Sequence, residues 1–234
     1  MAFNVETFKT RALTAVVFVL VMLSGLFLHG WGFVALCWLI LFGCLYEFQR
    51  LLMKIYPGRY PWQIGWMIPY IIFPLFMLID LGFGGRLLLF GWSGLQPEYY
   101  SPLLPCGIIF SIWINDTMAY IVGSFIGKTP FSSISPKKTW EGTIGGAILC
   151  IVVITLLGNI IPAARVLHWK HWLVISTLCA VFGTLGDLLE SKLKRLAGVK
   201  DSGQIMPGHG GFLDRFDSLL LAVPAVWIYL KIAL

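Results

Sequence analysis

Long apolar runs separated by short polar segments dominate this chain. A helix needs about 20 apolar residues to cross a bilayer, and seven runs reach or approach that length. They lie near residues 12–28, 31–46, 64–80, 102–126, 142–161, 171–189 and 218–234. A further run at 87–95 is too brief to span alone and is typical of an interfacial or half-crossing segment. The pattern predicts an all-α, polytopic integral membrane protein with about 7 transmembrane helices (range 7–9).

The composition favours the same class. Hydrophobic residues make up 58% of the chain and charged residues 12%, whereas about a quarter of the residues in a soluble domain are charged. The run behind Lys9 and Arg11 superficially resembles a signal peptide. It is long, and no small-x-small cleavage site closes it, so we expect a retained first helix. The five cysteines lie within or beside apolar runs without a C-x-x-C pair, which favours packing over metal or disulfide roles.

One continuous membrane domain is the simplest organisation, because the chain shows no linker, repeat or low-complexity tract. Residues 1–100 hold few reactive side chains and are predicted to form a frame, whereas 101–234 carry the polar motifs. Pro69 and Pro74 are expected to kink the third span. The spacings Gly123-x-x-x-Gly127 and Gly142-x-x-x-Gly146 permit close helix approach, for which ordinary packing is the simpler explanation.

Basic side chains are distributed unevenly between the two sides of the membrane. If the N-terminus is cytoplasmic, 13 of the 17 Lys and Arg residues fall on the cytoplasmic side. This bias predicts a cytoplasmic N-terminus and, for seven spans, an outside C-terminus. The net charge of +6 is therefore a topology signal with attraction to anionic membrane lipids, and it gives no argument for a nucleic-acid partner.

Two polar constellations interrupt the apolar pattern in the second half. The first is Asn115-Asp116-Thr117-Met118-Ala119-Tyr120. A carboxylate at membrane depth costs roughly 3 kcal/mol on insertion scales, so Asp116 should face a water-filled cavity or pair with a base on another helix. The second, Ser135-Pro136-Lys137-Lys138-Thr139-Trp140-Glu141-Gly142, precedes a span. Its lysines fit a positive-inside anchor and a phosphate counter-charge equally well.

The third constellation runs from Gly186 through "KDSGQIMPGHGGFLDRFD", residues 200–217. Asp187 to Asp217 hold ten of the chain's 28 charged side chains. On a helix, Asp187 and Glu190 are i, i+3 neighbours and Lys194 lies one turn further on. The loop that follows contains one proline and four glycines, which let backbone N–H groups approach an anionic ligand closely.

Acids and bases alternate in this third constellation. The acids are Asp187, Glu190, Asp201, Asp214 and Asp217, and the bases are Lys192, Lys194, Arg195, Lys200 and Arg215. Carboxylates together with substrate phosphates are the ligands that Mg²⁺ takes in proteins, and basic side chains neutralise the remaining phosphate charge. The set predicts phosphoryl or nucleotidyl transfer. His209 has no Cys or second His nearby, so a phosphate or leaving-group contact is more plausible than zinc.

At these residues the chain resembles a known family. The run Ser191–Asp217, "SKLKRLAGVKDSGQIMPGHGGFLDRFD", is similar to the signature of phosphatidate cytidylyltransferases (CDP-diacylglycerol synthases). The two earlier constellations and Gly186–Ser191 resemble the family's accompanying blocks and come in the family's order. Similarity extends over about 115–217, and the N-terminal half is similar only in hydropathy. Met206 stands where Leu, Ile or Phe is usual, and the chain is short for the family.

The resemblance implies an enzyme that converts CTP and phosphatidate into CDP-diacylglycerol and pyrophosphate, with Mg²⁺, in phospholipid biosynthesis. By position it implies a metal-centred catalytic set of Asp201, Asp214 and Asp217, supported or joined by Asp187 and Glu190, with Lys200 as a further catalytic residue. Substrate-binding roles fall on Asn115, Asp116, Lys137, Lys138, Lys194, Arg195, His209 and Arg215.

The resemblance further implies a homodimer. The distribution of basic residues predicts an active site that faces the cytoplasm, and a short chain without organelle signals indicates the bacterial inner (plasma) membrane. The N-terminal helices would supply the groove for acyl chains. Two alternatives stay open. One is another CTP-dependent membrane lipid enzyme, such as a polyprenol kinase or an archaeal-type CDP-lipid synthase. The other is an ion-coupled transporter, which would spread its acids over several spans near the midplane.

Overall fold

The computed structural model describes residues 5–58, 63–87, 95–205 and 210–234, with side chains described from residue 12 onward. This part of the chain forms seven α-helices. They are α1 Val5–Phe27, α2 Gly30–Ile55, α3 Phe73–Gly82, α4 Leu103–Ile126, α5 Trp140–Ile160, α6 Trp169–Leu196 and α7 Leu213–Ala233. Extended pairing in the described ranges is confined to an isolated antiparallel bridge between Pro130 and Thr139.

All seven predicted spans coincide with helical segments. Six segments are long and apolar enough to cross a membrane: Gly30–Ile55, Ile64–Gly82, Leu103–Ile126, Trp140–Ile160, Trp169–Leu196 and Leu213–Ala233. Ala12–Phe27 of α1 adds a shorter apolar helix. The prediction of an all-α, polytopic integral membrane protein is therefore confirmed. Most of the apolar run at 87–95 lies outside the described residues.

The third span changes helix type at its prolines. It begins as a 3₁₀ turn over Ile64–Trp66 and continues as a π-helical segment over Ile68–Ile72, before α3 begins at Phe73. Pro69 lies in the π-helical segment and Pro74 in the first turn of α3. Because proline has no N–H to donate to the preceding turn, the regular α-helical pattern breaks at such positions. The structure thus shows an irregular helical pattern at the two prolines, and the kink expected there stays a prediction.

The chain divides into two compact units. The first unit combines Met1–Ser101 with Leu193–Phe216, and the second combines Pro102–Lys192 with Asp217–Leu234. Helices α6 and α7 each contribute residues to both units. The segment between these two helices, which carries the glycine-rich signature, therefore belongs with the N-terminal helices.

An aromatic cluster fixes the core of the first unit. The Tyr100 hydroxyl donates to the Leu26 carbonyl at the end of α1, at 2.6 Å. The Tyr100 ring lies 5.1 Å from the Phe33 ring on α2 and 5.5 Å from the Phe83 ring just after α3, measured between centroids. Phe33 and Phe83 are almost completely buried. One side chain therefore joins three helical segments through a hydrogen bond and apolar contact.

Small residues bring α4 and α5 together in the second unit. A Cβ added at Gly142 would lie 2.7 Å from the Ala119 carbonyl oxygen, and one at Gly146 would lie 2.6 Å from the Ala119 nitrogen. Only glycine leaves room for backbones this close. The packing role predicted for this Gly-x-x-x-Gly pair is confirmed. The contact places the second constellation, at the start of α5, beside the first constellation on α4.

Replacing Gly146 with alanine should destabilise the second unit. The new methyl group would meet backbone atoms of α4 that cannot rotate away, and overpacking of this kind costs about 1–3 kcal/mol. The free energy of unfolding in detergent micelles measures the effect. Gly65→Ala is the matched control, because a Cβ at Gly65 meets nothing within 4 Å. Equal stabilities of the two variants would contradict the close contact.

Candidate functional site

A polar cavity in the second unit collects residues from all three constellations. Its volume is about 590 Å³, within the range of small-molecule sites. The lining residues are Asn115, Asp116, Ala119, Tyr120, Gly123, Ser124, Ser135, Lys137, Lys138, Thr139, Thr143, Thr184 and Asp187. The structure thus brings together five residues predicted from the sequence: Asn115, Asp116, Lys137, Lys138 and Asp187.

The loop that carries the two lysines is fastened to the start of α5 by Glu141. This carboxylate accepts hydrogen bonds from the Lys128 and Thr129 backbone N–H groups, at 3.1–3.2 Å, and from the Thr129 hydroxyl at 2.8 Å. Backbone bonds from Phe131 N to Lys138 O (2.8 Å) and from Trp140 N to Thr129 O (3.0 Å) close the loop into a hairpin-like turn. Lys137 and Lys138 are therefore presented at the cavity by a tied loop.

Thr139 determines where α5 begins. Its hydroxyl accepts from the Gly142 N–H at 3.2 Å, which satisfies one of the N–H groups that the first helical turn leaves without an intrahelical partner. Glu141 in the same turn is favoured by the helix dipole. Thr139 and Glu141, two further polar residues of the second constellation, thus fix the loop and the helix start beside which the two lysines lie.

An ion pair links the second and third constellations. The Lys138 ammonium contacts the Asp187 carboxylate of α6, and both side chains are 29% exposed. The Ser191 hydroxyl, one turn further along α6, donates to the other oxygen of Asp187 at 3.2 Å. The pair remains open to the cavity, so an anionic ligand can compete with Asp187 for the ammonium group.

The first constellation supplies oxygen atoms to the same cavity. Asp116 is solvent-accessible, and one of its oxygens lies 3.4 Å from the Asn115 amide nitrogen. Asn115 is only 4% exposed, and its amide oxygen has no hydrogen-bond partner among the described residues. A buried polar atom without a partner is uncommon in native proteins. The expectation that Asp116 faces a cavity is met.

The first unit contains a second polar cluster, at the N-terminus of α7. The Lys194 ammonium lies 2.6 Å from Asp214 Oδ1, with the two side chains 14% and 9% exposed. The other oxygen of Asp214 accepts from the Ser202 N–H at 2.9 Å and the Gly211 N–H at 2.8 Å, and it lies 3.0 Å from the Ser202 hydroxyl oxygen. Asp214 therefore organises the glycine-rich loop as well as bearing charge.

Glu47 of α2 joins this second cluster. Its side chain is completely buried, and Oε2 accepts from the Ser202 hydroxyl at 2.7 Å and from the Leu213 N–H at 2.9 Å. Glu47 was not among the site residues predicted from the sequence. Glu47 lies one residue beyond the predicted span 31–46 and three residues before Arg50, so the cost of a carboxylate at membrane depth, which singled out Asp116, did not single out Glu47.

The remaining predicted residues lie elsewhere in their units. In the first unit Arg195, Lys200, Asp201 and Arg215 are exposed. In the second unit Glu190 is completely buried and Asp217 nearly so, and neither lines the polar cavity. The Asp217 carboxylate accepts from the Ser218 N–H at 2.7 Å. His209 lies outside the described residues. The roles proposed for these residues stay predictions.

Together, the membrane-spanning helices and a cavity lined by acids and lysines define a membrane protein with a site for an anionic ligand. A sequence model of the cytidylyltransferase family matches residues 75–233, and the chain belongs to this family. The resemblance found in the sequence is thereby confirmed.

Curated relatives also match part of the chain. A phosphatidate cytidylyltransferase of Staphylococcus saprophyticus is 46% identical over 120 residues, which cover 51% of this chain and 45% of that protein. One of Synechocystis is 40% identical over 157 residues, covering 61% of this chain and 50% of that protein. One of Bacillus subtilis is 46% identical over 122 residues, covering 52% and 45%. The chain spans about half the length of the curated relatives it matches.

Replacing Glu141 with alanine should loosen the lysine-bearing loop. The Lys128 and Thr129 N–H groups would lose their acceptor, so their hydrogen exchange should accelerate by about tenfold or more. Exchange mass spectrometry on peptides from 127–139, in lipid nanodiscs, measures this. Glu98→Ala is the control, because Glu98 is an exposed acid in a short 3₁₀ turn of the first unit. Unchanged exchange in Glu141→Ala would show that the loop is held by other contacts.

Proposed function

We propose that this protein transfers the cytidylyl group of CTP to phosphatidate, giving CDP-diacylglycerol and pyrophosphate in phospholipid biosynthesis. The observation that carries this proposal is the polar cavity of the second unit, where Lys137 and Lys138 share a wall with Asp116 and Asp187. Membership of the cytidylyltransferase family supports the transferred group. The names of the relatives support phosphatidate as the acceptor.

The reaction requires neutralisation of negative charge on the two substrates more than it requires proton transfer. A phosphate oxygen of phosphatidate attacks the α-phosphorus of CTP and forms a new P–O–P linkage. The bond to the β-phosphate oxygen breaks, and pyrophosphate leaves with the electron pair. Because the nucleophile is already an anion, no strong general base is required. The main obstacle is repulsion between two polyanions, which fixed ammonium groups reduce.

Lys138 and Lys137 are suited to this task. Lys138 is held at the cavity by Asp187 before substrate arrives, so little freedom is lost when a phosphate replaces or joins the carboxylate. Lys137 is exposed on the same wall. The hairpin-like turn fastened by Glu141 keeps both ammonium groups in place while the substrates exchange.

We propose Mg²⁺ as the cofactor, and the residues of the cavity fit it. Asp116 and Asp187 offer carboxylate oxygens, and Asn115 offers the buried amide oxygen that has no partner among the described residues. Mg²⁺ is commonly bound through one or two carboxylates plus substrate phosphates. The ion would supply positive charge to the phosphates. Within the described part of either unit, no three or more His, Cys, Asp and Glu side chains gather into a cage made by the protein alone.

We further propose that the site faces the cytoplasm of a bacterial cell, at the inner membrane. Support comes from the predicted distribution of basic residues, with 13 of 17 on the side of the N-terminus. The helices long enough to span a membrane agree with residence in the bilayer. CTP is made and consumed in the cytoplasm, so this orientation also gives the enzyme access to its nucleotide.

An apolar cavity in the first unit offers a place for an acyl chain of the lipid. Its volume is about 380 Å³, and among the described residues that line it Thr14 is the one polar side chain. The other lining residues are Leu13, Val17, Phe18, Val21, Met22, Leu36, Leu39, Ile40, Ile205, Phe212 and Phe216. Three of these, Ile205, Phe212 and Phe216, come from the signature run. We propose that this cavity binds one acyl chain of phosphatidate.

The activity is tested with purified protein, labelled CTP, phosphatidate and Mg²⁺. We expect CDP-diacylglycerol and pyrophosphate in equal amounts. Lys138→Ala should lower kcat/KM by at least about 100-fold, because a preorganised charge at the transferring phosphate is lost. Lys170→Ala is the control, since Lys170 lies at the start of α6 and does not line the cavity. A Lys138→Ala enzyme of wild-type rate would remove this lysine from the site.

The same assay separates the alternatives. Turnover with a polyprenol or with an archaeal ether-lipid phosphate, but not with phosphatidate, would replace the proposed substrate. Formation of a phosphorylated lipid and CDP, in place of pyrophosphate, would indicate a kinase. No lipid product at all, together with ion flux in proteoliposomes, would support the transporter alternative.

A bulky side chain in the apolar cavity should weaken the binding of phosphatidate with long acyl chains. Leu39→Trp adds bulk at a lining residue that is 49% exposed, so the core is little disturbed. KM for dioleoyl phosphatidate should rise by about tenfold, equivalent to ~1.4 kcal/mol, whereas KM for CTP and for dioctanoyl phosphatidate should stay constant. Leu156→Trp, at a site 53% exposed in the second unit, is the control. An equal effect on both lipids would place the acyl chain elsewhere.

A further inference from the structure

A buried carboxylate outside the polar cavity holds the glycine-rich loop. Glu47 lies on α2, a helix long and apolar enough to span a membrane, and its side chain is 0% exposed. Removing a carboxylate from water is costly unless hydrogen-bond donors replace the lost solvation. Here the donors come from the signature run, through the Ser202 hydroxyl at 2.7 Å and the Leu213 N–H at 2.9 Å.

These two donors lie at opposite ends of the loop. Ser202 follows Asp201 near its beginning, and Leu213 is the first residue of α7. One oxygen atom of Glu47 therefore accepts hydrogen bonds from two residues that are eleven positions apart in the sequence. This shared acceptor therefore fixes Ser202 and Leu213 relative to each other.

The same hydroxyl connects Glu47 to Asp214. Ser202 Oγ lies 2.7 Å from Glu47 Oε2 and 3.0 Å from Asp214 Oδ2, and the Asp214 N–H donates to it at 3.3 Å. The Asp214 carboxylate in turn pairs with Lys194. A continuous hydrogen-bonded path thus runs from α2 to two predicted site residues.

Two glycines of the loop lie so close to the Glu47 carboxylate that they leave no room for a side chain. A Cβ added at Gly203 would lie 2.1 Å from Glu47 Oε1, and one at Gly211 would lie 2.1 Å from Oε2. Such distances are far below van der Waals contact. The loop backbone therefore wraps the carboxylate so closely that any side chain at these positions would displace it.

We infer that Glu47 is a positioning residue: it acts as a clamp that holds Ser202 and Leu213 together and, through Ser202, orients the Asp214 carboxylate at the start of α7. It acts on the loop and not on the substrate. The link to catalysis rests on the proposed function, whereas the clamp itself can be tested without any turnover.

Hydrogen exchange in nanodiscs tests the clamp. We expect Glu47→Ala to accelerate exchange of peptides covering 200–213 by at least about tenfold, because the Leu213 N–H and the Ser202 hydroxyl lose their acceptor. Glu47→Gln, which keeps an acceptor oxygen, should give a smaller change. Asp80→Asn is the matched control, since Asp80 is also 0% exposed in the first unit but lies on α3, and it should leave this segment unchanged.

A size-compensating pair tests the clamp even if Glu47→Ala fails to fold. Gly203→Ala should loosen the loop, because its methyl group meets the carboxylate. Glu47→Asp withdraws that carboxylate by about 1.5 Å and makes room. The double variant Gly203→Ala/Glu47→Asp should therefore protect 200–213 better than Gly203→Ala alone. Additive losses in the double variant would overturn the inferred contact.

Activity gives the third readout. If the wild-type protein makes CDP-diacylglycerol, Glu47→Ala should lower kcat by at least about tenfold in the folded fraction, with partial rescue in Glu47→Gln and none of this loss in Asp80→Asn. A wild-type protein without activity would refute the proposed function. The hydrogen-exchange experiment would still test the clamp, because it does not depend on turnover. Normal exchange and normal kcat in Glu47→Ala would refute the positioning role.

Discussion

A charged group carried by a membrane-spanning helix must find its partners inside the protein, because hydrocarbon offers none. Much of the polar architecture follows from this constraint. In the first unit, buried Glu47 takes donors from the Ser202 hydroxyl and the Leu213 backbone. In the second unit, Asp187 of α6 takes Lys138 from the loop before α5. Each of these two acids therefore fixes the position of residues in a loop. These loops contain residues predicted to belong to the functional site.

The two units meet this constraint differently. In the second unit, close packing of α4 against α5 at Gly142 and Gly146 brings Asp116 and the tied lysine loop to one cavity. That cavity stays open, and its ion pair is partly exposed. In the first unit the carboxylates of Glu47 and Asp214 are enclosed by the loop that they organise. The open arrangement suits exchange of anionic ligands, and the enclosed one suits fixed geometry.

Much of this protein could be read from its sequence, for a physical reason. The number and position of the spans follow from local hydrophobicity, since a bilayer selects apolar helices of a set length. The family follows from a dense run of residues with few alternatives, Ser191–Asp217. The Gly142-x-x-x-Gly146 contact was also predictable, because spacing on a helix fixes which residues share a face. The cost of burying Asp116 predicted a cavity or a basic partner for it, and the structure shows that it lines the cavity.

Other features depend on residues far apart in sequence, and no local pattern encodes them. The hydrogen bond between Glu47 and Ser202 joins residues 155 positions apart, and only the folded chain shows that Ser202 and Leu213 meet at a side chain of α2. The hydrogen bonds that Glu141 makes with the loop before α5 could not be predicted either. The same holds for the ion pair of Asp214 with Lys194 and for its hydrogen bonds with the loop. In each case the sequence shows a charged residue and does not show its partner. Local chemistry thus sets what each segment is, whereas long-range packing sets which charges meet.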